Sequence, residues 1–294
     1  MGKTYLAIAF MLAGSSVIAA RFVSGYLPPF TTTFFSLAFA TLTALICSGQ
    51  KMLDAIKTMS RQRWRLLIMQ ALFGSFLFRV FLTFGLQYTG ATEAGIITGA
   101  SPAITALLTW LLLRERLTKN AAFGIVLALA GILLVQGFPF AMSSSVFHPA
   151  GIILVLLAAV CEALFTTLSR KVHVGAQEDA PLSPLVQAGL VSIMAMVFCS
   201  LPMLMEQPWP RLYTLPISGW LALLWYGAVV TIVAFACMFA GAKRCSGYII
   251  AAFTGFIPIS STALAFFVLR EPLQGVQLIG CGLVVGAAVV ISRH

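Results

Sequence analysis

Charge is scarce in this sequence. Lys, Arg, Asp and Glu make up 9% of its 294 residues, against 60% hydrophobic residues. A soluble domain carries about a quarter charged residues, because its surface must face water. So few polar side chains cannot cover a water-facing surface, and a larger core does not remove the need for one. Histidine is nearly absent: His148, His173 and His294 fall in predicted loops or at the C-terminus. The sequence has no HExxH pair, no phosphate-loop lysine motif, no GxSxG and no acidic metal-binding run. The motifs of metalloproteases, nucleotide-driven pumps and serine hydrolases are therefore missing. Cys47, Cys161, Cys199, Cys237, Cys245 and Cys281 lie in or beside apolar stretches without CxxC spacing. They read as small buried hydrophobes, and neither a metal nor a bound cofactor is expected.

Long apolar runs take the place of charge. A helix needs about 20 apolar residues to cross the hydrocarbon core, and lipid offers the backbone no hydrogen-bond partners. Barrel strands would alternate polar and apolar residues, and these runs do not. The expectation is an all-α membrane protein of ten transmembrane helices, at 4–24, 30–48, 66–87, 91–113, 120–137, 150–169, 184–204, 217–239, 246–269 and 274–292. The first run, with Lys3 ahead of it and Ala19–Ala20 near its end, has features of a signal peptide. Its length and its place in a repeat assign it as a retained span. Short connections rich in Pro, Gly and charge join the spans.

Orientation follows from basic residues, which favour cytoplasmic loops. With the N-terminus inside, the inner loops hold Lys3, Lys51, Lys57, Arg61, Arg63, Arg65, Arg114, Arg116, Lys119, Arg170, Lys171, Lys243, Arg244 and Arg293. The outer loops hold Arg21, Arg211 and Arg270. An N-in, C-in topology accounts for the formal net charge of +10. Nucleic-acid binding would require a basic face with stacking aromatics on a soluble module, and none is visible.

The chain also repeats itself. A shift of 156 aligns residues 77–136 with 233–292 without gaps. It brings Thr98-Gly99 onto Thr254-Gly255, Pro102 onto Pro258, Leu113-Arg114-Glu115 onto Leu269-Arg270-Glu271, and Gly124 onto Gly280. Two small-residue stretches, ending at Arg21 and Arg170, extend the match toward the start of each half. Residues 1–137 and 150–294 then each hold five predicted helices. An odd number inverts the second copy in the membrane, an architecture of secondary transporters whose site lies between the halves.

These features resemble the EamA-type, ten-helix branch of the drug/metabolite transporter superfamily. The likeness covers nearly the whole chain. It is carried best by Tyr88–Val135, YTGATEAGIITGASPAITALLTWLLLRERLTKNAAFGIVLALAGILLV, and by Ala163–Arg170, ALFTTLSR. The resemblance implies a carrier of amino acids, sugars, drugs or other metabolites, often an exporter. The chain departs from the family's pattern at Ala13-Gly14, where Trp-Gly is frequent, and at Glu162, where an aromatic residue is frequent.

Two groups of residues are candidates for transport. Pro102 and Pro258, read as mid-span, would each free a backbone carbonyl four residues back, at Thr98 and Thr254. With Gly99 and Gly255 these form a paired set of kinks, suited to hinges or to helix packing. Among the acidic residues, Glu162 alone lies deep in a span, on a face shared with Ala158, Ala159, Phe165, Thr166 and Ser169. Such a charge should face a cavity or a partner. Arg79 is the one deep base, on a stripe with Ser75, Thr83 and Gln87, and Glu93 lies near the start of the fourth span. Arg79 and Glu162 could form a structural ion pair, or hold the two ends of a zwitterion. Glu162 could instead carry a coupling proton, and Glu93 is a rival partner for Arg79. Ser15 and Ser16 are further cavity candidates, as are Tyr226 and Tyr248 among the aromatics.

The function expected is a secondary transporter working by alternating access, in a bacterial plasma membrane. Its cargo would be a small polar or zwitterionic metabolite: an amino acid or derivative, opine-type metallophores included. Efflux of hydrophobic drugs is the alternative, and a channel or membrane enzyme fits less well. The expected partners are the lipid bilayer and a small-molecule substrate.

Overall fold

The computed structural model describes residues 1–23, 25–88, 94, 97–115, 118–135, 149–174, 182–270 and 275–292. Among them there is helix and no strand. The helices are α1 (Gly2–Val23), α2 (Pro29–Thr58), α3 (Arg61–Gly85), α4 (Ser101–Leu113), α5 (Lys119–Val135) and α6 (Pro149–Val174). They continue as α7 (Pro184–Met205), α8 (Ile217–Ala242), α9 (Gly247–Phe253), α10 (Phe256–Leu269) and α11 (Gly275–Ser292). A short helix, Trp209–Tyr213, lies in the connection between α7 and α8. Seven stretches are long and apolar enough to cross a membrane: α1, α2, α3, α6, α7, α8, and α9 taken together with α10. The helices α4, α5 and α11 are apolar but shorter. Large apolar side chains face outward, Ile46 at 76% exposure and Phe267 at 69%. On a water-soluble protein this would be a liability; against lipid it is the expected surface.

Proline and arginine mark the helix ends. Pro29 and Pro184 open α2 and α7 at first-turn positions, where a backbone N–H is not needed. The helices α4 and α10 end on Arg114 and Arg270, both left-handed, with φ 54° and 60°. Glycine usually fills that position. The two arginines are equivalents under the shift of 156. The same shift carries the π-helical segment Leu72–Leu77 of α3 onto 228–233, inside the π-helical segment Trp225–Val233 of α8.

Two pairs of helices equivalent under that shift, α5 with α11 and α2 with α7, pack on each other and run antiparallel. In the α5–α11 pair, Gly124 faces Ile291 while Gly131 faces Val284 and Gly280. In the α2–α7 pair, Gly189 meets Ala44, and the Glu206 carboxylate after α7 closes the start of α2. It accepts from Phe30 N at 3.1 Å, Thr31 N at 2.7 Å and Thr31 Oγ1 at 2.7 Å. The first helix of each half crosses over: α1 packs on α8 and α10, and α6 packs on α3 and α4. Gly14 makes the first crossing possible, since a Cβ there would lie 1.8 Å from Ser260 Oγ and 2.5 Å from the Ile257 carbonyl.

Several expectations change. The helix expected at 30–48 runs on to Thr58, with a local break at Ser48 (φ −150°, ψ 20°). Ser48 and Met52 continue its buried stripe, which a hydropathy window does not register. The helix expected from 66 begins at Arg61, capped by Ser60 Oγ, which accepts from Arg63 N at 3.3 Å. At Pro102 and Pro258 the helix is interrupted a few residues ahead of the proline, with the backbone still right-handed at Ala100, Thr254 and Gly255. Each proline sits in the first turn of a new helix, after a turn at Gly99–Ala100 and at Thr254–Gly255 respectively. Proline is tolerated there because first-turn N–H groups have no partner within the helix. The Thr254 carbonyl is not left free, because it accepts from Ile257 N at 3.0 Å.

Candidate functional site

Helices α1, α3, α6, α8 and α10 enclose a cavity of about 180 Å³. Glu162 is the charged residue in its lining, with Ser16, Thr166, Tyr226 and Thr231 as polar neighbours. Both π-helical segments contribute, Gly74 from α3 and Tyr226, Val230 and Thr231 from α8. A π turn displaces side chains from α-helical register, and such turns are frequent at functional sites. Thr231 Oγ1 reads that geometry directly, donating to the Tyr226 carbonyl five residues back at 2.9 Å.

Glu162 Oε2 accepts a hydrogen bond from Ser101 Oγ at 2.7 Å. Ser101 is the first residue of α4, immediately after the helix break, so the carboxylate sits at a helix start. Arg79 does not pair with it. Its guanidinium donates to the Tyr226 hydroxyl and lies 5.5 Å from the centre of that ring. Tyr226 thus stands between Arg79 and the cavity, and the structural ion pair allowed by the sequence is not formed. Beneath Glu162 the cavity ends on rings. Phe165 lies 5.2 Å from Phe235 and 6.1 Å from Phe239, centre to centre. Both α6 and α8 run from the cavity through this floor to the face that carries Arg170.

On that face a second polar cluster joins four helix ends. Arg170 Nε donates to Glu115 Oε1 at 3.1 Å, and Arg170 Nη1 to the Ala242 carbonyl at 2.8 Å. The other oxygen of Glu115 accepts from Gly247 N, the first residue of α9, at 2.7 Å. Glu115 and Arg170 are each 19% exposed at the side chain.

The sequence candidates therefore separate. Glu162, Thr166, Ser16 and Tyr226 meet at the cavity, and Arg79 lies one residue behind it. Ser15 does not join them. It turns to the opposite side of α1, donates to the Leu12 carbonyl at 2.6 Å and accepts from Trp225 Nε1 at 3.0 Å. There it lines an apolar groove of about 350 Å³. Tyr248 packs against the main core on α9, away from the cavity lining. Glu93 lies outside the described residues. Thr98, Gly99 and Pro102 mark one helix break and Thr254, Gly255 and Pro258 the other. Sequence reasoning passed over Ser101 and the Glu115–Arg170 cluster. Ser101 stands directly before Pro102, and Arg170 closes the ALFTTLSR segment, but neither position announces its partner.

The sequence profile of the EamA-like transporter family matches residues 1–136 and again 149–293. The chain belongs to the EamA-like transporter family. It is 29% identical over 289 residues to the uncharacterized transporter YetK of Bacillus subtilis, covering 97% of this chain and 84% of YetK. To the uncharacterized transporter YyaM of the same organism it is 25% identical, over 96% of this chain and 92% of YyaM. Protein PecM of Dickeya dadantii is 26% identical over 78% of this chain and 73% of PecM. A solved crystal structure shares the fold, with a TM-score of 0.78 at 21% identity, covering 99% of this chain and 96% of that one. An EamA-like chain with these apolar helices is a multi-pass membrane transporter.

Proposed function

We propose that this EamA-like chain is a secondary carrier that exports a small polar metabolite bearing an ammonium group, an amino acid or a derivative of one, by alternating access. The observation that carries this reading is the cavity between the halves: a lone carboxylate, Glu162, held by one hydroxyl and ringed by Phe10, Phe78, Phe165 and Phe235. A buried carboxylate with no basic partner among the described residues suits a cation, and aromatic faces add to that attraction. A zwitterion's carboxylate would meet the Tyr226 hydroxyl, which Arg79 polarises from behind. Glu162 is also the group that would carry a coupling proton in exchange.

Ten spans in two inverted five-helix repeats, 1–137 and 150–294, suit the antiparallel packing of equivalent helices. With both termini cytoplasmic, in the plasma membrane of a bacterium, the Arg170 face is the inner one. Arg170, Lys171, Lys243 and Arg244 lie there, as the bias of basic residues to the cytoplasm requires. Drug-sized ligands occupy pockets of about 300–1,000 Å³. The cavity, at about 180 Å³, is below that range and favours a metabolite over a hydrophobic drug. The test is release from proteoliposomes loaded with a mixture of amino acids, small amines and drug-sized cations, followed by mass spectrometry. Release confined to the small ammonium compounds is expected. Release of the drug-sized cations alone would overturn the substrate class.

A further inference from the structure

The cavity and the polar cluster on the Arg170 face share two helices. At one end of α4, Ser101 donates to Glu162 of α6. Just beyond its other end, Glu115 bonds Arg170 of α6 and the backbone of Gly247. Between these points α4 is a helix of 13 residues, about 20 Å long. Along it, Thr109 is fully packed against α9, where a Cβ on Gly247 would lie 2.4 Å from the Thr109 side chain. Glu115 and Ser101 belong to the first half of the chain; Glu162, Arg170 and Gly247 belong to the second. Polar bonds thus rivet the halves at both ends of one helix, one to Glu162 of the cavity lining and two on the Arg170 face.

We propose that α4 is a strut that couples occupancy of Glu162 to the seal on the Arg170 face, with Ser101 as the positioning residue. A cation arriving at Glu162 competes with the Ser101 hydroxyl for the carboxylate. Losing that bond frees the cavity end of α4. Glu115 is then the polar tie that remains at the far end, and α4 separates from α9 and α6 together. The inference rests on Glu162 as the group that receives the cation, but the strut is read without knowing the substrate.

The experiment uses Thr109→Cys in a cysteine-free full-length protein, in vesicles whose Arg170 face meets the medium. The readout is labelling by a membrane-impermeant maleimide. Labelling is slow while the seal is shut. Glu115→Gln and Ser101→Ala should each raise the rate by about tenfold or more, as expected when one hydrogen bond to a charged group is lost. Ser101→Thr, which keeps a hydroxyl, should stay near the starting rate, and so should Glu162→Gln, whose side-chain oxygen still accepts. Isobutylammonium as the probe cation should raise the rate in the Thr109→Cys protein and not in its Glu162→Gln version. Labelling unchanged by Ser101→Ala, while Glu115→Gln raises it, would overturn the strut. A rate raised by Ser101→Ala but unmoved by isobutylammonium keeps the strut and rejects the ammonium reading of the cavity.

Discussion

The seam between α5 and α11 makes a quantitative prediction about how the halves meet. A Cβ placed on Gly131 would lie 2.7 Å from the Gly280 carbonyl oxygen and 2.9 Å from Val284 N. Both neighbours are backbone, so no side chain can swing aside and the two helices must part by roughly half an ångström. Overpacking of this kind costs about 1–3 kcal/mol. Alanine returns about 1 kcal/mol through its better helix propensity. Gly282, on the same helix pair, has nothing within 4 Å of an added Cβ. Gly282→Ala therefore keeps the propensity gain without the clash. The two variants should differ by about 1–3 kcal/mol, with Gly131→Ala the less stable, or about 3–10 °C in thermal unfolding in detergent. A Gly131→Ala protein as stable as Gly282→Ala would refute the close antiparallel crossing of α5 and α11.

Three further outcomes follow from single contacts. Tyr226→Phe removes the oxygen that Arg79 bonds; it should cost about 1–3 kcal/mol in detergent unfolding and weaken transport affinity more than maximal rate. Glu206→Gln takes the charge from the cap on α2, where three donors converge. A loss of about 1–2 kcal/mol with transport kinetics unchanged is expected, and altered substrate affinity would show that α2 and α7 are more than a scaffold. Ser15→Ala removes the acceptor of Trp225 Nε1; it should shift tryptophan emission and leave transport near wild type, whereas lost transport would move the pathway to the groove side of α1.

The fold was legible wherever the evidence in the sequence was local or repeated. Apolar runs gave the helices, and the shift of 156 foretold more than it was asked: left-handed Arg114 and Arg270, and π-helical segments in matching places. What stayed hidden depended on side-chain direction and distant partners. Ser15 and Ser16 look equivalent on paper, but adjacent helical residues point about 100° apart, and here Ser16 faces the cavity while Ser15 faces the groove. Arg79 found Tyr226, 147 positions away, rather than a carboxylate. Ser101 and Glu115 drew no notice as site residues; each bonds across to the other half.

Glu162→Gln tests the central claim most directly. The measurement is countertransport, in proteoliposomes, of the ammonium-bearing metabolite that the unmodified protein releases. Gln keeps the size and can still accept from Ser101, so protein level and thermal stability should stay near normal. Countertransport should fall to the level of empty liposomes. Normal countertransport by the Glu162→Gln protein would contradict the account, because it would show that the one charge among the described lining residues has no part in carrying the substrate.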